Sequence, residues 1–263
     1  MNSLAHRFET LQSRGEKGLV LFLTAGDQPL GELRDVLTCL AEAGADAIEV
    51  GIPFSDPFGE GPTIQQSSQR ALDRGTSLRQ VLDTLGAVSL PIPLVAMGYY
   101  NPILRFGLEA YAAGAHAAGI TGTIISDLVP DEADRWMAAA APHGHETIFL
   151  AAPTSTAARL DDVCARTTGF VYAVSRTGVT GAENAVPPQV VDLVAAVKAR
   201  TPKPVCVGFG ISKAEHVRMV CGVADGAVVG SALVHRLHDG WDGGRGAGVI
   251  ATFVRELKAA THA

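Results

Sequence analysis

The sequence predicts an α/β chain folded as a (β/α)8 barrel of the TIM type, with an extra N-terminal helix, over residues 1–263 as one domain. Three observations carry this. Eight short β-rich runs are apolar on both faces, as parallel strands covered by helices should be, and a segment of helical period follows them. The chain has 263 residues, and eight strand–helix units fill ~250 residues in such barrels. Its glycine-rich turns come after the seventh and eighth runs, whereas an open doubly wound sheet puts them early.

Residues 3–14 read as the extra helix, placed to plug the barrel bottom. The strands are LVLFLTAG (19–26), AIEVGIP (47–53), IPLVAMGYY (92–100), GTIISD (122–127), ETIFLAAP (146–153), GFVYAVS (169–175), PVCVGFG (204–210) and DGAVVGS (225–231). Between them, 29–43 carries Leu30, Leu33, Leu37 and Leu40 at helical spacing and stops at Gly44. Pro62 opens a helix that Gly75 closes. Ser77 with Gln80, and Ser212 with Glu215, read as capping boxes. A helix begins at Asp131, and another covers 190–199. The stretch DGWDGGRGAG (239–248) is a loop before a final helix over 249–260.

Composition excludes several classes. Hydrophobic residues are 47% and charged residues 18%, which is not the balance of a disordered chain. Lys+Arg 21 against Asp+Glu 27 leaves −6 with no basic cluster, so neither nucleic acid nor an anionic membrane is an expected partner. The longest apolar stretches, such as 19–23, are too short to span a bilayer. Cys39, Cys164, Cys206 and Cys221 form no C-x-x-C. With no apolar leader at the N-terminus, they predict a reduced, cytoplasmic protein without a metal site. His143 and His145 read as helix caps, and His235 and His238 have no acidic partner at ligand spacing.

Barrel active sites lie at the C-terminal strand ends. In the second strand, alternation turns Ile48 and Val50 to the helices and Glu49 to the interior. A carboxyl there must be paired or have its pKa raised, so Glu49 is either a structural ion pair or a general acid–base. The following loop, PFSDPFGEGP (53–62), holds Asp56 and Glu60. Glu60 just before Pro62 suits a helix N-terminus at the surface. Two carboxylates near one strand end also suit acid–base chemistry. The GFGIS turn (208–212) and Gly230-Ser231 read as a phosphate grip, or simply as tight turns. The polar stretch SRTGVTGAENAVPP (175–188) reads as an active-site lid or a plain surface loop.

Several segments then carry a resemblance. IEVGIPFSDPFGEGPTIQ (48–65) resembles the signature of the tryptophan synthase alpha subunit family. MGYYNP (97–102), APT (152–154), SRTGVTGAEN (175–184), CVGFGIS (206–212) and VVGSALV (228–234) resemble family segments in the same order. The resemblance covers almost the whole chain. It implies a (β/α)8 lyase that cleaves indole-3-glycerol phosphate to indole and glyceraldehyde 3-phosphate by a retro-aldol step. It implies catalytic roles for Glu49 and Glu60, and phosphate contacts at Gly181, Gly210, Gly230 and Ser231. Phe22, Tyr99, Ile125, Tyr172 and Phe209 would shape the indole and glycerol pocket, with Thr180 on the closing loop. Pro53, Asp56 and Asn101 would face a pyridoxal-phosphate-dependent beta subunit in an alpha2beta2 assembly. No cofactor or metal is implied for this chain.

One departure stands out. The family's second carboxylate is an aspartate; here it is Glu60, preceded by Gly59. A shift of ~1 Å at a reacting group can cost ~100-fold in rate. Three readings follow: a channelling alpha subunit, a stand-alone lyase releasing indole for secondary metabolism, and a weakened barrel that activates a beta subunit. A generic phosphate-sugar isomerase would leave the GIPFSDP loop unexplained.

Overall fold

The computed structural model describes residues 3–174, 186–208 and 210–262. Among these, nine parallel strands form one sheet: β1 (Gly18–Thr24), β2 (Ala47–Gly51), β3 (Leu94–Gly98), β4 (Ile120–Ile125), β5 (Glu146–Ile148), β6 (Leu150–Ala151), β7 (Val171–Val174), β8 (Val205–Gly208) and β9 (Gly226–Val229). They pair in the order β5-β4-β3-β2-β1-β9-β8-β7-β6. The two ends of that order, β5 and β6, are separated only by Phe149. The chain itself therefore closes the sheet into a barrel.

All eight expected strands are present, but the fifth is divided. Its first part pairs with β4 and its second with β7. The Phe149 N–H between them donates to Thr167 Oγ1 at 3.4 Å. A backbone donor satisfied by a side chain leaves the ladder, and the strand breaks there.

Alternation sorts the strand side chains into two cores. Val20, Ala47, Val95, Ile124, Ile148 and Val228 fill the barrel interior. Their neighbours Leu19, Leu21, Ile48, Val50, Leu94 and Val229 pack outward. The helices around them are α1 (Leu4–Ser13), α2 (Leu33–Glu42), α3 (Pro62–Asp73), α4 (Leu78–Leu85), α5 (Tyr100–Phe106), α6 (Leu108–Ala117), α7 (Asp134–Ala140), α8 (Ala157–Arg166), α9 (Pro188–Lys198), α10 (Ala214–Cys221), α11 (Ser231–Gly240) and α12 (Ala247–Ala259).

The expected plug is α1. Its Leu4, Phe8 and Leu11 join the interior core, and Phe8 meets Phe170 with ring centroids 6.0 Å apart. The Glu146 carboxylate accepts from the N–H groups of Leu4 (3.1 Å) and Ala5 (3.5 Å), where the helix dipole favours an anion. Asp46 is fully buried and binds Arg7 of α1 (2.5 Å), Lys258 of α12 (2.9 Å) and the Leu19 N–H of β1 (2.7 Å). One carboxylate thus joins both ends of the chain to the barrel.

Local expectations met mixed outcomes. The Ser77–Gln80 capping box forms. The Ser212–Glu215 box does not. The Ser212 N–H and hydroxyl face His216 Nδ1 at 3.3 and 3.4 Å, and Glu215 pairs with Lys213 at 2.7 Å. α10 consequently starts after Lys213 with no side-chain cap. The helix expected at Asp131 begins with a 3-10 turn, Pro130–Glu132, and becomes α-helical only at Asp134. His145 is no cap: it is buried, with Nε2 2.7 Å from Thr123 Oγ1. His235 does find an acid, Asp239 at 3.3 Å. Among the described residues no helix is long and apolar enough to cross a membrane.

Replacing Asp46 with alanine strands Arg7 and Lys258 beside a buried gap. Denaturant unfolding should show a loss of about 3 kcal/mol. A loss under ~1 kcal/mol would match an exposed ion pair and remove Asp46 as the junction.

Candidate active site

A cavity of about 270 Å³ opens at the C-terminal ends of the strands. Its apolar wall comes from Phe22, Met97, Leu150, Tyr172 and Val228. Two glycines make room for the rings. A Cβ on Gly51 would stand 2.6 Å from Phe22 Cζ, and one on Gly208 would collide with the Tyr172 hydroxyl.

Glu49 lies in β2, in register with Phe22 of β1 and Val95 of β3. It is fully buried, and its register partner Phe22 lines the cavity. Neither carboxyl oxygen has a hydrogen-bond partner, and no cation pairs with it among the described residues. Among the described residues the ion-pair reading is therefore not realised. Burial first, and the charge of Glu60 second, push its pKa up to about 8. Glu49 is thus protonated at neutral pH.

Glu60 does not cap α3. The N-cap is Gly61, with no side-chain hydrogen bond, and Glu60 lines the cavity. Desolvation pushes its pKa up to about 7. The backbone around it is pinned: the Glu60 N–H donates to Pro57 O at 3.0 Å, and Gln65 Nε2 donates to Glu60 O at 2.9 Å. The charges of Glu49 and Glu60 both bear on Tyr172, whose phenol burial pushes well above its ordinary range. The three groups are therefore close enough to bear on one another's ionisation.

Another part of the lining offers a helix start, where an anion would be favoured. Gly210 turns with φ +74°. Gly230 caps α11, and Ser231 is its first residue. All three line the cavity. The first-turn N–H groups of a helix lack internal partners, and the dipole adds positive potential.

Other expected residues fall in different places. Ile125 packs in the outer core, because strand parity turns Ile124 and Ser126 inward. Ser126 lines the cavity instead, and its buried Oγ has no partner. Counting parity from Ile124 would have found it. Tyr99 is buried behind Glu60, lining a separate void of about 20 Å³ together with Glu60 and Ser126. Pro53 is buried, while Asp56 and Asn101 are exposed. Phe58, 75% exposed, stands beside them on the same loop as Asp56. Thr180, Gly181 and Phe209, and residues 175–185 of the expected lid, lie outside the described residues. No group of three or more His, Cys, Asp or Glu among the described residues could hold a metal ion.

Fold and cavity define a class: a (β/α)8 barrel with two carboxyls of raised pKa and a helix N-terminus gathered at the C-terminal ends of its strands. Comparison with known proteins names the family within that class. The family model for the tryptophan synthase alpha chain matches residues 8–262. The tryptophan synthase alpha chain of Geobacter sulfurreducens is 46% identical over 262 residues, covering 99% of each chain. That of Burkholderia cenocepacia strain HI2424 is 44% identical, covering 99% of this chain and 97% of its own. A crystal structure of tryptophan synthase from M. tuberculosis superposes with a TM-score of 0.90 at 35% identity, over 100% of both chains. The alpha subunit from Legionella pneumophila str. Paris gives 0.90 at 32%, over 99% of this chain and 98% of that one. The chain belongs to the tryptophan synthase alpha chain family.

The raised Glu49 pKa has a consequence for stability. Unfolded, the carboxyl ionises near its ordinary 4.5; folded, near about 8. Between those values the unfolded chain holds fewer protons, so this carboxyl makes the fold progressively less stable as pH rises from about 4.5 to about 8. Glu49→Gln removes that loss. Its melting temperature relative to wild type should rise by about 5 °C or more between pH 5 and pH 8. A difference that stays flat across that range would mean Glu49 is not held uncharged.

Proposed function

We infer that this chain is the alpha chain of a tryptophan synthase and cleaves indole-3-glycerol phosphate to indole and glyceraldehyde 3-phosphate. The observation that carries the reading is one cavity lined by Glu60 and the start of α11, with the raised-pKa Glu49 in register with its wall residue Phe22. A phosphate held at Gly210, Gly230 and Ser231 leaves the rest of the substrate to reach across the mouth. Its indole ring then lies against Phe22, Met97, Leu150 and Tyr172, toward Glu60.

Retro-aldol cleavage needs a proton on indole C3 and removal of one from the glycerol hydroxyl next to the breaking bond. Glu49, protonated at neutral pH, donates the first. Its carboxylate then takes the second as the C–C bond breaks and the aldehyde forms, so Glu49 ends the cycle protonated. Glu60, ionised, accepts from the ring N–H. That bond strengthens as the nitrogen becomes cationic in the indolenine, so it stabilises the transition state more than bound substrate.

The comparisons do not favour a stand-alone lyase or a binding-only barrel, since full-length relatives carry the alpha-chain name. Glu60 within the cavity also supports a working site. We assign Asp56, Asn101 and Phe58 to the face that meets a beta subunit, in an alpha2beta2 assembly, with Pro53 supporting it from beneath. Four free cysteines support a reduced, cytoplasmic setting.

Steady-state cleavage by the purified chain should be slow alone and rise strongly with a tryptophan synthase beta subunit. Fast cleavage without it would favour the stand-alone lyase; none in either condition would favour binding alone. Glu49→Gln should abolish cleavage. The pH profile of kcat/KM should be bell-shaped, rising as Glu60 ionises near about 7 and falling as Glu49 ionises near about 8. Glu60→Gln should remove the rising limb.

The atoms nearest to a methyl at Gly230 would be those of Ile64 and Phe22, at an ordinary 3.7 Å, so Gly230→Ala should fold, with the methyl at the cavity lining. Its KM should rise ~10-fold with kcat within ~2-fold, as for lost uniform binding. An unchanged KM would move the phosphate elsewhere.

A further inference from the structure

Tyr99 follows β3 and carries on its inward parity after Val95 and Met97, yet its ring does not line the main cavity. Three residues of the loop that bears Glu60 clasp it instead. Phe54 stacks on the ring with centroids 5.0 Å apart and planes at 28°. Phe58 meets it edge-on at 5.4 Å and 60°. The Gly59 N–H donates to its hydroxyl oxygen at 3.0 Å. A Cβ on residue 59 would stand 3.1 Å from that oxygen, so glycine lets the loop come this close.

We propose that Tyr99 is a positioning residue for Glu60: by holding the N–H of Gly59, the residue before Glu60, it sets where the carboxylate meets the indole N–H. The inference rests on the retro-aldol reading above and gives Tyr99 a role through Glu60, not on the substrate. Burial, with the Glu60 charge second, pushes the Tyr99 phenol up to about 12. It therefore stays protonated and serves as a fixed hydrogen-bond partner. The ring contacts with Phe54 and Phe58 hold it from two further directions, so the loop leading to Gly59 is tied to one ring.

The test is Tyr99→Phe, which keeps the ring and its stacking but removes the acceptor for the Gly59 N–H. Loss of position at a group that acts mainly in the transition state should lower kcat about 10-fold, with KM for indole-3-glycerol phosphate within about 2-fold. In a Glu60→Gln background the same change should cost less than about 2-fold, because the positioned group is already gone. Carbon NMR titration of labelled glutamate, with Glu60 assigned through Glu60→Gln, gives a readout independent of turnover. In Tyr99→Phe the Glu60 titration should move down toward the ordinary carboxylate range as the released loop lets water in. An unchanged kcat with an unchanged Glu60 titration would overturn the proposal. So would an equal loss with and without the Glu60 carboxyl. If wild type does not cleave the substrate at all, the retro-aldol reading falls, while the titration still decides whether Tyr99 holds Glu60.

Discussion

The structure turns on a carboxyl placed where water cannot reach it. Glu49 occupies an interior position of β2 that would otherwise take a residue like Ala47 or Val95, and no cation or donor among the described residues compensates it. Isolated charge in such surroundings is costly, so the group keeps its proton instead. That single constraint organises the mouth of the barrel. The carboxyl must sit beneath a wall apolar enough to hold the proton, and it needs a substrate that both receives a proton and returns one.

The surrounding frame supplies the stability that this placement gives up. Asp46, only three residues before Glu49, is also a buried carboxylate but has three donors. The contrast is instructive. At the barrel bottom, where the plug helix and the last helix meet β1, a charge is fully partnered and structural. Within the strand that follows, the Glu49 carboxyl has no partner among the described residues. Strain of this kind concentrates at functional sites and is offset elsewhere in the fold.

Much of this was legible in the sequence because parallel strands under helices leave a plain signature. Every expected strand is present, and Glu49 faces inward as alternation requires. What was not legible depended on three-dimensional competition. Phe149 leaves the ladder because Thr167, eighteen positions later, takes its N–H. Ser212 fails as a cap because the His216 ring reaches it first. Glu60 read as a surface cap because nothing local reveals the cavity beside it. Ile125 was assigned to the pocket through the resemblance, whereas the parity of its own strand points to Ser126. Thr180, Gly181 and Phe209 fall outside the described residues, so their place stays an expectation.

The break at Phe149 divides the barrel into two arcs. One runs from β1 to β5 and carries Glu49 and the loop of Glu60. The other runs from β6 to β9 and carries Gly210, Gly230 and Ser231. Their strands meet only along β1 and β9 and through one residue of chain, with α2 against α12 and α3 against α11 packing over the first seam. On the function proposed above, the acid and the phosphate site thus fall on different halves, and neither half alone could both hold a phosphorylated substrate and protonate it. Turnover in this protein is consequently a reporter of ring closure: any state in which the arcs part, during folding or through breathing at the seam, is inert before it is unfolded.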